Sequence, residues 1–261
     1  MKPTTEPDTL QDAIIVRLQP LRDADLIAVF LAPDRGRIDT FARSARKSSK
    51  RFGGRLQPFA MGTATLGRSR GSMPSLKAFE PRAALLRTGV SYEQLALASY
   101  AAELAVAAAQ PEHADAHLHA WLGSALVAVD GINIDAPRIL PWTKLALDIS
   151  WLAAAGALAD PTTCVDCGEP TSEGARWTPA TGGPVCRSCA SPAALNVSPT
   201  LLAAADALAT QIGDAAIIEA IRGESAGDLE FAIGAQVAEI LPSAPRSLRG
   251  MQKQFFLADR R

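Results

Sequence analysis

The apolar residues of this chain change their period once, and that change sets its fold class. From Asp12 to Glu80 they come in short runs: AIIVRLQPL, ADLIAVFLA, then after a PDRGR turn at Pro33 to Arg37, RIDTFARSA, LQPFAMGTATL and, beyond Gly71, SLKAFEP. Runs of about six residues bounded by Gly-bearing turns, with no helical repeat between them, predict five strands. A small antiparallel barrel, closed or nearly so, buries one face of such strands, and a five-stranded OB-fold has this count. From Arg82 the spacing becomes helical. Ser91 and Gln94 form a capping box before Leu95, Ala98, Ala102 and Ala105. A second stripe runs through Leu118, Trp121, Leu122, Ala125 and Val129, and a third through Leu145, Ile149 and Leu152, ending around Gly156. Ser198 followed by Pro199 starts another helix, and Leu229, Ile233, Val237 and Ile240 mark one more. The expectation is an α+β chain: an OB-fold barrel over residues 1–85, then an all-α helical domain over 86–261, interrupted by an insert at 161–192. At 261 residues, 48% of them hydrophobic, the chain can bury a core in each part.

The insert carries all four cysteines, in two CxxC pairs: Cys164 with Cys167, and Cys186 with Cys189. Their separation approximates that of ribbon-type zinc sites, in which each CxxC turn offers two thiolates to one tetrahedral ion. Gly168 and the Gly182-Gly183 pair supply the turns. Zinc is the expected ion; iron and a redox dithiol are the alternatives. Four thiolates leave no open coordination position, so one zinc per chain would hold the insert together and perform no chemistry. No cysteine is left over for a disulfide elsewhere, which fits a reducing compartment. Asp166, Glu169 and Glu173 outnumber Arg176 and Arg187 here, so the insert is poorly suited to gripping phosphate by itself.

Cations gather elsewhere. Between Ala42 and Phe59 stand Arg43, Arg46, Lys47, Lys50, Arg51 and Arg55, with no acid among them. Residues 35–70 hold ten Lys or Arg against Asp39 alone, while the rest of the chain holds 16 bases against 26 acids, so the net charge of −1 hides a dipolar molecule. A concentrated basic stripe gains affinity by releasing counterions from a nucleic-acid backbone. With Arg35 and Arg37 from the preceding turn, these residues are the candidate DNA-binding set; a merely solvated loop is the plain alternative. Gly53 and Gly54 permit positive φ, which reads as a loop between strands. Phe52, the aromatic inside the run, either stacks on bases or anchors the loop to its barrel.

Catalytic signals fail on context. Gly67 to Gly71 matches GxSxG literally, but a nucleophile elbow needs a helix after it, and SMPSLKAF is strand-like. His113 and His117, four apart on a possible helix, could bind a metal together, but Glu112, Asp115 and His119 around them are the composition of a solvated face or loop. No GxxxxGK[ST] loop occurs, so the nucleotide-kinase reading of a CxxC insert fails. No enzyme activity and no small-molecule substrate are expected. The N-terminus has no apolar core of signal-peptide type, and no run of about 18 uncharged apolar residues occurs. The expected address is the cytoplasm, without membrane association.

Several segments together resemble the RecO family of bacterial recombination mediators and DNA-repair proteins. GRIDTFARSARKSSKRFGGRLQPF is similar to its signature between the third and fourth barrel strands. LALDISWLAAAGALADPTTCVDCGEP is similar to its helix running into the first cysteine pair, RWTPATGGPVCRSCA to the second half-site, and SLRGMQKQFF to its basic C-terminal segment. Trp142, Thr143 and Lys144 depart from the family, whose members often have an aromatic followed by an acid there. The resemblance implies a nucleoid-associated protein that binds single- and double-stranded DNA and anneals complementary strands. It also implies action on strands coated by single-strand-binding protein (SSB), and work with RecR to let RecA load. The SSB tail is acidic with an apolar end, so its docking site needs an apolar groove rimmed by cations. Arg138 and Lys144, flanking the Leu145, Ile149 and Leu152 helix, are the candidates for that rim, with Arg246 and Arg249 in reserve. The competing expectation is a zinc-ribbon adaptor for protein assembly with only weak nucleic-acid binding.

Overall fold

The structure, a computed structural model, describes residues 8–48, 51–67, 73–136, 138–178, 182–192, 194–212, 217, 224, 226–249 and 255. They group into two compact units, one formed by 1–89 with 109–126, the other by 90–108 with 127–261.

The first unit is built on five strands, β1 (Asp8–Pro20), β2 (Leu26–Ala32), β3 (Gly36–Ala42), β4 (Ala60–Gly67) and β5 (Ser75–Ala84). They close into a barrel in the order β1-β2-β3-β5-β4, the OB-fold arrangement expected from the runs of apolar residues. One expectation fails for a topological reason. A ring with an odd number of strands cannot be antiparallel throughout, and β3 meets β5 in parallel at Phe41 and Ser75. β1 is also longer than the mean run, at 13 residues. Bulges between Leu10 and Ala13 and between Ile15 and Arg17 coil it, so that its first half pairs with β4 and its second with β2. Along β3 and β4 alternate side chains are buried. The inward set includes Leu10, Ile15, Phe30, Ile38, Leu66, Leu76 and Phe79. Phe30 and Phe79 pack with ring centroids 5.6 Å apart.

Residues 109–126 complete this unit. Glu112 N donates to Arg37 O at 3.1 Å. His119 Nε2 lies 2.7 Å from Asp12 O, the carbonyl of the bulged residue whose φ is 50°. Leu118, Trp121, Leu122 and Ala125 of α2 (Ala116–Gly131) are buried, as their helical spacing requires.

The second unit is helical with a small sheet. α1 (Tyr92–Ala108) opens with the expected reciprocal cap: Ser91 N donates to Gln94 Oε1 and Gln94 N to Ser91 Oγ, both at 3.1 Å. α3 (Ile139–Ala154) is buried at every position from Pro141 to Leu152, so it is a central helix rather than an amphipathic one. Gly156, at φ 69°, follows its end. The sheet β7-β6-β8 comprises β6 (Ala175–Thr178), β7 (Gly183–Val185) and β8 (Leu195–Val197). α4 (Pro199–Thr210) is capped by Ser198, whose Oγ accepts from Leu201 N at 3.2 Å, with Pro199 in the first turn. In α5 (Gly227–Ile240), Leu229, Ile233 and Val237 are buried, whereas Ile240 is exposed. No described helix is long and apolar enough to cross a membrane.

Candidate nucleic-acid interface and metal centre

Leu26 pairs with Ala42, so the chain leaving β3 passes directly beside the turn between β1 and β2. Ser44 N donates to Asp25 Oδ1 at 2.7 Å, Arg46 N to Ala24 O at 3.0 Å and Arg46 Nη1 to Asp23 O at 3.4 Å. Beyond that junction the loop is knitted to itself. Ser44 O accepts from Lys47 N (3.2 Å) and Ser48 N (3.0 Å), and Ser48 O accepts from Phe52 N (3.2 Å) and Gly53 N (3.1 Å). The Arg51 guanidinium donates to Arg43 O and lies 4.9 Å over the Phe52 ring. Phe52 itself is 1% exposed within the barrel core, so it anchors the loop and is not available to stack on a base. Gly53 and Gly54, at φ 45° and 78°, turn the chain as the double glycine demands.

The candidate cations divide accordingly. Arg43, Arg46, Lys47, Arg51 and Arg55 are exposed on this loop. Arg35 pairs with Asp8 at 2.8 Å and Arg37 Nε with Asp39 at 3.3 Å, so each already has an acidic partner. Lys50 lies outside the described residues, as do Arg68, Ser69, Arg70 and Gly71 of the GxSxG match. That match falls between β4 and β5, with a strand rather than a helix after it. His113 and His117 are exposed, in keeping with a solvated face.

In the insert, the sulfurs of Cys164, Cys167, Cys186 and Cys189 all lie within 4.8 Å of one another, and Cys167 Sγ is 3.8 Å from Cys186 Sγ. A tetrahedral ion with bonds of about 2.3 Å to sulfur separates its ligands by about 3.8 Å. The four cysteines are thus positioned to hold a metal ion. The first knuckle closes through Gly168 N to Cys164 O at 2.9 Å, with Gly168 at φ 76°, and the second through Ala190 N to Cys186 O at 3.0 Å. Val165 N donates to Pro184 O at 2.9 Å, tying the first knuckle to β7. The amide of Cys186, ahead of those of Cys167 and Asp166, brings the Cys164 thiol down to about 6. Hydrogen bonds with the Cys167 and Cys186 thiols push Cys189 up to about 12. Four thiols this close share one anion poorly, and a cation at their centre supplies the field that lets all of them ionise.

A third feature lies in the helical unit. Tyr100, Lys144, Glu230, Phe231, Val237 and Leu248 help to line a groove of about 550 Å³. Its wall includes the segment after α5, which is held to α1 by Arg246 N and Ser247 Oγ donating to Glu103 Oε2 at 2.9 and 3.0 Å. The expected rim cation is misplaced. Lys144 is 4% exposed, its ammonium donating to Asp148 Oδ2 at 2.7 Å, because α3 is enclosed on every side. Tyr100 completes the network by donating to Asp148 Oδ1 at 2.5 Å; burial, then the Asp148 charge, raises its phenol well above the usual value. Asp148 was missed in the sequence, although a Lys and an Asp four apart in an otherwise apolar stripe are the signal of a buried pair. Arg138 caps the start of α3 at φ 59°, exposed, and Arg246 and Arg249 are exposed in the segment after α5.

The family described as "Recombination protein O N terminal" matches residues 7–84, and "Recombination protein O C terminal" matches residues 90–238. The DNA repair protein RecO of Anaeromyxobacter sp. (strain K) is 33% identical over 183 residues, 68% of each chain. That of Myxococcus xanthus (strain DK1622) is 30% identical over 178 residues, 68% of this chain and 71% of the relative. That of Cutibacterium acnes is 29% identical over 188 residues, 71% of this chain and 76% of the relative.

Proposed function

Because the chain belongs to the RecO family of DNA repair and recombination proteins, we propose that it is a recombination mediator whose basic barrel loop holds DNA by its phosphates. The observation that carries this reading is the loop itself: Arg43, Arg46, Lys47 and Arg55 are exposed on a segment already ordered by its own hydrogen bonds and pinned by Phe52 in the core. Contacts to phosphate position a strand without reading its bases, so single- and double-stranded DNA both fit. With Phe52 buried, the loop leaves the bases of a bound strand free to pair, while its cations offset the repulsion between two backbones. That combination supports annealing of complementary strands, and it needs no covalent chemistry.

The metal is proposed to be zinc, one per chain, which supplies structural cross-linking of the insert and nothing more. The partners are RecR and SSB, and the outcome is RecA loading on strands that SSB had covered. For the SSB tail the groove beside α5 is the proposed dock: its lining is largely apolar, and the exposed Arg246 and Arg249 stand in the segment that borders it, whereas Lys144 is already paired with Asp148. Such a tail ends in acids and an apolar C-terminus, which this chemistry complements. The proposed address is the nucleoid-associated cytoplasm. The test is annealing of two complementary oligonucleotides, one labelled with a donor and one with an acceptor dye, with and without SSB. The expected result is acceleration in both cases, lost when Arg43, Arg46, Lys47 and Arg55 are replaced by Ala. An acceleration untouched by those replacements would overturn the reading.

A further inference from the structure

We infer that Asp25, an acid beside the basic loop, is a positioning residue for DNA binding: its carboxylate holds Ser44 and so presets the loop that carries the cations. This rests on the loop being the DNA site. The Asp25 side chain accepts from Ser44 N at 2.7 Å, and Ser44 sits at φ 54°, in the left-handed region that a serine occupies at a cost. Ser44 is where the loop turns: its carbonyl accepts from both Lys47 N and Ser48 N, and Ser48 in turn holds Phe52 and Gly53. The backbone bonds of Lys47 and Ser48 to the Ser44 carbonyl therefore depend on Ser44 keeping its conformation. Ala24 O and Asp23 O, from the same turn, receive Arg46 N and Nη1 and add to the junction.

Charge alone predicts the opposite sign. An acid 2.7 Å from the backbone of a phosphate-binding loop repels phosphate, so its removal should tighten binding. If the carboxylate instead supplies an acceptor that keeps the loop competent, Asp25→Ala populates other loop conformations and the apparent affinity falls by the competent fraction. A hydrogen bond from an amide to a carboxylate is worth enough to make that loss about tenfold. Asp25→Asn keeps an oxygen in the same place without the charge. It should restore binding to the Asp25→Ala level multiplied by about ten, or beyond, since repulsion is removed as well.

The experiment measures anisotropy of a labelled single-stranded 30-mer with full-length wild type, Asp25→Ala, Asp25→Asn, and the variant lacking Arg43, Arg46, Lys47 and Arg55, with melting curves to verify folding. Weakening in Asp25→Ala with recovery in Asp25→Asn supports the inference. Tightening in both, or equal weakening in both, overturns it while the loop remains the DNA site. Wild-type affinity in the four-cation variant would overturn the DNA site, and this inference with it.

Discussion

Replacing Arg43, Arg46, Lys47 and Arg55 together by Gln should flatten the salt dependence of DNA binding, and by an amount that can be stated beforehand. Each phosphate neutralised on a single strand contributes roughly 0.7 to the slope of log K against log salt, so four lost contacts lower its magnitude by about 3. Between 50 and 200 mM salt that difference makes the wild type lose about 50-fold more affinity than the variant. The structure also supplies the control. Arg35 and Arg37 belong to the same basic region of the sequence, but their guanidinium groups face Asp8 at 2.8 Å and Asp39 at 3.3 Å. Each must exchange a carboxylate for a phosphate, so Arg35→Gln with Arg37→Gln should lower the slope by less than the ~1.4 that two unengaged cations would contribute. The assay is anisotropy with one labelled oligonucleotide across a salt series. A quadruple variant with an unchanged slope and a wild-type melting curve would refute the reasoning, as would a double variant that flattens the slope by as much.

Elemental analysis should find one zinc per chain, and chelation, or Cys167→Ser, should unfold the helical unit before the barrel loses protection in hydrogen exchange; the reverse order would count against a structural role. Lys144→Met strands the Asp148 carboxylate, which is 0% exposed, and should cost about 3–5 kcal/mol in urea unfolding, most of it regained when Asp148→Leu is added. A single variant as stable as wild type would show the pair to be dispensable. Because the Tyr100 phenol is raised in the folded state, its contribution is complete below about pH 10 and is lost as pH rises through the folded value, by up to about 1.4 kcal/mol per pH unit. Melting curves between pH 9 and 11.5 should therefore fall less steeply for Tyr100→Phe than for wild type, and parallel curves would contradict it.

Signals that depend on near neighbours were legible in the amino-acid order: the change of apolar period, the Ser91 and Gln94 cap, the Ser198 cap before Pro199, and two CxxC turns whose sulfurs converge within 4.8 Å. Each is decided within a turn of helix, a strand or a knuckle, where spacing and geometry are nearly the same thing. The RecO family could be read there too, because its signature segments are local. What the order of residues left open was settled by contacts between distant segments. Five strands were readable, yet the parallel β3–β5 pair follows from closing an odd ring. Phe52 could stack or anchor; the barrel interior takes it, leaving 1% exposed. Lys144 read as a rim cation because its apolar neighbours suggested one buried face, but α3 is covered on all sides, and its charge is met by Asp148, to which Tyr100, 48 residues away, also donates. Asp25 looks like an acid that opposes DNA binding until the register of β2 and β3 brings it to Ser44. Burial and pairing are properties of which surfaces meet, and that is decided only when the whole chain has packed.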